Sequence, residues 1–295
     1  MKIGSIASTG VIGVGSMGLA MVQRLRGRGV EVLVRDVRGE REAMAERDGA
    51  RACPTPAALA RRCGVVIVAV VDAVQTEAVL FGSDGVAAGA ARGSCVVLCP
   101  TIAPESVESF AAWLEAIGVD WIEAPMSGGP TRAREGTMSL MVACGDAVFD
   151  RHAALLALLA DPVFRLGARA GDGARVKLVN NLLAAINLVG ASEAIALAER
   201  VGLDPALALS VIERSSGQSW IGSDRMRRAL QGDVAPHARS ALLAKDSALA
   251  LAMASAAGID VPLGSAAARV FASVAAAGAA DLDDSILLDH LRASR

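Results

Sequence analysis

Ten residues near the amino end constrain this chain more than any others: Thr9-Gly-Val-Ile-Gly-Val-Gly-Ser-Met-Gly18. A short β-branched stretch runs straight into glycines at positions 13, 15 and 18, and small and apolar residues alternate from there to Leu25. The pattern predicts a strand, a tight turn and a helix. Gly13 permits the turn, Gly15 lets an anionic group approach the backbone, and Gly18 lets the helix pack close to the strand. With Val14, Ser16 and Met17 between them, these residues form a candidate cradle for the pyrophosphate of a dinucleotide at a helix N-terminus, where anions are favoured.

A second strand, Val30 to Asp36, ends in an acid eighteen residues after Gly18. That is close to the distance at which a carboxylate accepts from ribose hydroxyls. Asp36 favours NAD, because it would repel a 2'-phosphate; Arg35 and Arg38 flank it and leave NADP open. The βα alternation continues. Ala43 to Asp48 and Pro56 to Arg62 read as helices, and Gly64 to Val71 is a continuous apolar run suited to a parallel strand buried on both faces. Val70 and Val71 fall at its carboxyl end, the edge that an open α/β sheet turns to its ligand, while Asp72 reads rather as a helix N-cap. Strands at Ser94–Cys99 and Val119–Glu123 carry Pro100-Thr101 and Ala124-Pro-Met-Ser-Gly-Gly129 to the same edge. Taken alone, Ser127, Gly128 and Gly129 read first as an ordinary loop and second as a candidate cradle for a small anion.

The second half has a different character. In Gly171-Asp-Gly-Ala-Arg-Val-Lys-Leu-Val-Asn-Asn181, two glycines suit a turn entering a helix, and Lys177 and Asn181 fall on one helical face. From Leu178 to Ser192 there is no charge. A helix that apolar is expected to be buried on most sides, so Lys177 is expected where two bodies of the protein meet. An ammonium held there needs a purpose or a partner.

Beyond about residue 165 the chain reads as Ala- and Leu-rich helices without strand patterns. Asn187 to Gly202 continues the helix of Lys177, and Asp204-Pro205 starts another. Leu242 to Ala257 has helical spacing with Lys245-Asp246 on its first turns, and Ala266 to Ala280 is a further helix. Ser215 to Met226 reads as polar and irregular. The expected fold is therefore an α/β N-terminal Rossmann domain with a mostly parallel doubly wound sheet, residues 1–166. An all-α C-terminal domain, residues 167–295, follows through a long interdomain helix over about 172–202.

Several function classes fall away on composition. A formal net charge of -2, with Lys and Arg scattered and no Tyr, gives no basic block or stacking platform for nucleic acid. The five cysteines, at 53, 63, 95, 99 and 144, have no C-x-x-C spacing and read as small core residues of a cytoplasmic protein, with neither a disulfide framework nor a metal site. Residues 3–23 carry no charge, but glycines at 4, 10, 13, 15 and 18 interrupt the run, so no membrane segment is expected.

Four motifs in this order resemble the β-hydroxyacid dehydrogenases: the glycine fingerprint, Ala124-Pro-Met-Ser-Gly-Gly-Pro-Thr-Arg-Ala-Arg-Glu-Gly-Thr137, the Gly171-to-Asn181 segment, and Lys245-Asp246. The resemblance covers essentially the whole chain. It implies that Lys177 is the catalytic acid/base, that Ser127, Gly128 and Gly129 bind a substrate carboxylate, and that Asn181 holds the substrate. By the same resemblance Lys245 lines the site near the nicotinamide, Thr101 approaches the nicotinamide side of the cofactor, and the helical domain makes a homodimer or homotetramer. The chain departs from the family pattern at Leu98-Cys99-Pro100-Thr101, where Pro100 removes an amide donor from the loop.

The implied reaction is hydride transfer between a small 3-hydroxy acid and NAD(P), with 3-hydroxyisobutyrate-like acids ranked ahead of L-threonate and other four-carbon sugar acids. An unperturbed lysine titrates near about 10.4 and is a poor base at neutral pH, so burial and the nicotinamide charge are expected to bring it down. A semialdehyde reductase or an imine reductase on the same architecture is the alternative, and a non-catalytic dinucleotide-binding scaffold is a further one.

Overall fold

The structure is a computed structural model that describes residues 8–233, 235 and 237–293. Gly4, one of the glycines interrupting the uncharged N-terminal run, lies outside the described residues.

Among the described residues nine strands form one sheet: β1 (Thr9–Ile12), β2 (Val32–Arg35), β3 (Arg51–Ala52), β4 (Val65–Val68), β5 (Cys95–Leu98), β6 (Asp120–Glu123), β7 (Met126–Ser127), β8 (Met138–Ala143) and β9 (Ala160–Gly167). The order is β3-β2-β1-β4-β5-β6-β8-β7, with β9 paired to β8. The first six strands are all parallel, whereas β8 runs antiparallel to β6 and β7 and parallel to β9. Helices cover a parallel sheet on both faces, so its inner strands need apolar residues at every position. Accordingly each residue of β1, β4 and β5 is buried. From β1 the chain goes to β2 on one side and later to β4 on the other. The loops leaving β1 and β4 thus lie where strand order reverses, the place an open α/β sheet offers a ligand.

By its contacts the chain divides into two compact units, Met1–Lys177 and Leu178–Arg295, and the division falls inside one helix, Asp172–Arg200. The second unit is helical. Pro205–Ile212 begins after Asp204, whose carboxylate accepts from the Ala206 and Leu207 amides; Trp220–Leu230, Ser240–Ala256 and Pro262–Val274 follow. Its core gathers Leu188, Ile195, Met226, Phe271, Leu287 and Leu288, among others.

Three of the differences from the sequence reading have a clear physical reason. β9 carries Asp161, Pro162 and Arg165 and has a single buried residue, Ala160; among the described residues it pairs only with β8, so it needs no apolar alternation. Ser215–Met226 is not irregular throughout, since a helix begins at Trp220 behind Ser219, whose hydroxyl accepts from the Gly222 amide. Its polar look comes from the serines and Gln218 before that helix and from Arg225, which pairs with the buried Asp284. The Ala-rich helix starts earlier, at Pro262, where proline suits a first turn, and its regular part stops at Val274. A π-helical turn at Ala275–Ala279 follows, with Gly278 at φ 80°.

Candidate functional site

The turn leaving β1 has the stereochemistry its glycines imply. Gly13 lies at φ 90°, and a β-carbon there would sit 2.7 Å from the Ala69 carbonyl oxygen. One on Gly18 would lie 1.9 Å from the carbonyl oxygen of Gly13, so only glycine lets the helix Ser16–Gly27 start this close to the strand. Gly15 caps that helix without a side-chain hydrogen bond, and a β-carbon there would meet nothing within 4 Å. Open space beside a helix N-terminus is what a pyrophosphate requires, so these residues fit a dinucleotide. Val14 is buried, Met17 half-buried and Ser16 exposed at the first helical position.

Asp36, just past β2, is buried, and its carboxylate accepts from the Val14 amide at 2.6 Å and the Arg38 amide at 2.9 Å. The acid is therefore hydrogen-bonded to the fingerprint turn itself. Val70 and Val71 follow β4 half-buried, and the Val71 amide donates to Gln75 Oε1. Asp72 caps the helix Ala73–Phe81 by accepting from the Gln75 amide at 2.8 Å, as its position suggested. Thr101 is half-buried beyond β5. Cys99 beside it is buried, and desolvation pushes its thiol up to about 12, which removes it from thiolate chemistry.

Ser127 ends β7 in register with Ser139 of β8. Gly128 and Gly129 follow at φ 127° and 75°, into the short helix Gly129–Glu135. Lys177 stands in the second turn of Asp172–Arg200 and is only 8% exposed. The start of that helix is held by a residue that the sequence reading gave no role, Glu123 at the end of β6. Its carboxylate is 1% exposed and accepts from the amides of Gly171 (2.9 Å), Gly173 (3.0 Å) and Ala174 (2.6 Å). Burial pushes the carboxyl up to about 7, against the pull of those three donors and with a smaller push from Asp172. The sequence offered one weak signal, an acid following two apolar residues, Trp121 and Ile122, at the end of a strand.

In the helical unit Asn181 is buried and donates from Nδ2 to Asp246 Oδ2 at 2.6 Å, while its Oδ1 accepts from Asn180 Nδ2 at 3.0 Å. The Lys245 ammonium pairs with the other oxygen of Asp246 at 2.7 Å. One buried carboxylate thus orients two of the expected substrate contacts. Asp246 was visible in the sequence as the neighbour of Lys245, but not as their common anchor. Among the described residues no group of His, Cys, Asp and Glu has the arrangement of a metal site.

Two family models match the chain. One, described as the NAD binding domain of 6-phosphogluconate dehydrogenase, covers residues 8–167; the other, the NAD-binding of NADP-dependent 3-hydroxyisobutyrate dehydrogenase, covers 171–291. An L-threonate dehydrogenase from Cupriavidus necator is 37% identical over 95% of this chain and 94% of its own length. The solved structure described as 3-hydroxyisobutyrate dehydrogenase from Salmonella typhimurium has a TM-score of 0.89 at 31% identity, covering 96% of this chain and 99% of that one. An imine reductase from Myxococcus stipitatus, covering 97% of this chain and 99% of its own, has a TM-score of 0.66 at 19% identity, a likeness of fold alone.

Proposed function

From the premise that this chain belongs to the β-hydroxyacid dehydrogenases, NAD(P)-dependent oxidoreductases acting on the CH–OH group of hydroxy acids, we propose that its substrate is a four-carbon sugar acid of the L-threonate type. That order reverses the ranking drawn from the motifs, and it rests on the similarity to L-threonate dehydrogenases along almost the full chain. The observation that carries the catalytic assignment is Lys177, buried in the second turn of a helix whose start is fixed to β6.

In this reading the chain's residues divide the work. Gly13 to Gly18 and Asp36 hold the dinucleotide, with Val70, Val71 and Thr101 along its nicotinamide half. When bound, the nicotinamide supplies the hydride acceptor. Ser127 and the amides of Gly128 and Gly129 bind the substrate carboxylate, Asn181 holds a substrate hydroxyl, and Lys245 adds positive charge beside it. Lys177 takes the proton of the reacting hydroxyl; in reduction its ammonium returns that proton and polarises the carbonyl. NAD is the preferred cofactor, because the Asp36 carboxylate at the end of β2 would repel a 2'-phosphate.

The working protein is a cytoplasmic homo-oligomer, a dimer or a tetramer. Its five cysteines are free and buried, as suits a reducing compartment. The helix Asp172–Arg200 is long and apolar enough to cross a membrane, yet 39% of its most apolar window is buried within the chain. Val179, Leu183 and Leu197 stay exposed on it at spacings that share one face, and Leu207 and Val211 are exposed on the helix Pro205–Ile212. A second copy of the chain is the occupant this reading assigns to that surface.

The test is absorbance at the reduced-nicotinamide band with L-threonate, then 3-hydroxyisobutyrate, each with NAD and with NADP. The expected result is the highest kcat/KM for L-threonate with NAD. Silence with every hydroxy acid and both cofactors would overturn the proposal.

A further inference from the structure

Glu123 does more than end a strand. Four residues after it the chain reaches Ser127, and its carboxylate receives the first free amides of the helix that carries Lys177. The fit is close on both sides. A β-carbon on Gly173 would lie 2.8 Å from Glu123 Cδ and 2.9 Å from the carbonyl oxygen of Met141 on β8, so the helix starts in direct contact with the sheet. A helix N-terminus has amides without partners inside the helix, and these are ordinarily met by a side chain of the same segment or by water. Here the acceptor comes from a strand some fifty residues earlier, 48 to 51 positions away.

We propose that Glu123 is a positioning residue for the reaction: its carboxylate fixes the start of the lysine helix to the strand that leads into the Ser127-Gly128-Gly129 loop, and so sets Lys177 relative to the bound carboxylate. The inference rests on the catalytic reading of Lys177. It also accounts for the spacing Gly171-x-Gly173-x-x-x-Lys177, since Gly171 and Gly173 present amides to the carboxylate and Gly173 has no room for a side chain.

The cap works only while the carboxyl is ionised. Protonation puts a hydrogen on one oxygen where every neighbouring partner is itself a donor. The charged groups around it are Asp172 on the lysine helix and Arg175, which pairs with Asp172 at 3.1 Å and with Glu108 of the helix Pro104–Ala116 at 2.6 Å. β5 and β8, on either side of β6, carry no charged residue.

The test is a pH profile in the direction of carbonyl reduction. There Lys177 must be protonated, so its own titration removes activity only at the alkaline end. Ionisation of Glu123 predicts a separate loss on the acid side, below about 7. In Glu123→Gln the acid limb disappears and kcat at neutral pH falls by about tenfold to a hundredfold, the scale of a misplaced catalytic group, with KM for the dinucleotide unchanged. Glu123→Asp restores the acid limb and part of kcat.

Gly173→Ala is the second variant, because it wedges the cap apart without touching a charge; it is expected to lower kcat while keeping the acid limb. Should the wild-type protein turn over no hydroxy acid, the catalytic reading has failed. The cap itself is then read by hydrogen exchange at the Gly173 and Ala174 amides, protected in the wild type and not in Glu123→Gln. An unchanged profile and kcat in Glu123→Gln, or equal exchange in both proteins, would overturn the inference.

Discussion

In Met1–Lys177 every residue of β1, β4 and β5 is buried, whereas in Leu178–Arg295 Leu183, Leu197, Leu207 and Val211 each keep more than half of their surface exposed. Polar groups follow the opposite trend. Apart from Lys177, the buried charge of the sheet unit is two single carboxylates set against backbone amides, Glu123 at a helix start and Asp36 at the fingerprint turn. The helical unit buries an ionic cluster in which Arg225 donates to Asp284 at 2.6 Å and Arg228 pairs with Asp283 at 2.9 Å. The difference teaches what each architecture must solve. A parallel sheet covered by helices completes its own core, and its remaining problem is to place loops at one edge. A small helical bundle leaves apolar faces over and ties its last segment down with ion pairs.

The largest effect that would break this comparison lies in the ionic cluster. Asp284 is almost fully buried, and removing it strips Arg225 of one carboxylate partner. Asp284→Ala should cost about 3–5 kcal/mol, as for other buried pairs cut on one side. Urea denaturation read by far-UV circular dichroism checks it, and a cost under about 1 kcal/mol would mean that the cluster is not what holds 281–286 in place.

At the other end of the scale stands Leu183→Asp. The side chain is 58% exposed in the single chain, so its replacement should change subunit stability by no more than about 0.5 kcal/mol. If the exposed stripe is covered by a second copy, the same substitution should lower the mass measured by light scattering to that of the 30.0 kDa monomer. An unchanged oligomer would place the contact elsewhere, and a monomeric wild type would remove the comparison's explanation.

The two units also differ in how far the sequence declared them. β1, β2, β4 and β5 were legible because buried parallel strands are almost continuously apolar and because Gly13, Gly15, Gly18 and Asp36 keep a fixed spacing, and β6 from its place in the βα alternation although Asp120 and Glu123 bound it. β3 and β7, of two residues each, are too short to show any period, and β9 hides behind Asp161 and Pro162 at its exposed positions. The helix of Lys177 was read over about 172–202 and spans Asp172–Arg200. Trp220–Leu230 was not recognised as a helix, because its buried face contains arginines whose partners lie some sixty residues on. For the same reason the roles of Glu123 and Asp246 were not legible. A carboxylate's meaning depends on which donors the fold brings to it, here amides 48 to 51 residues away and an asparagine 65 away. Lys177, Asn181 and Lys245 were named from motif order, which needs no knowledge of contacts.

The central claim is that a lysine in the second turn of that helix moves the proton while a nicotinamide takes the hydride. The measurement closest to it is single-turnover oxidation of the preferred hydroxy acid by the wild type and by Lys177→Ala, each saturated with NAD. The account predicts that the variant still binds NAD with near-wild-type affinity and loses about a hundredfold to ten-thousandfold in the chemical step. A variant that turns over at close to the wild-type rate would contradict it.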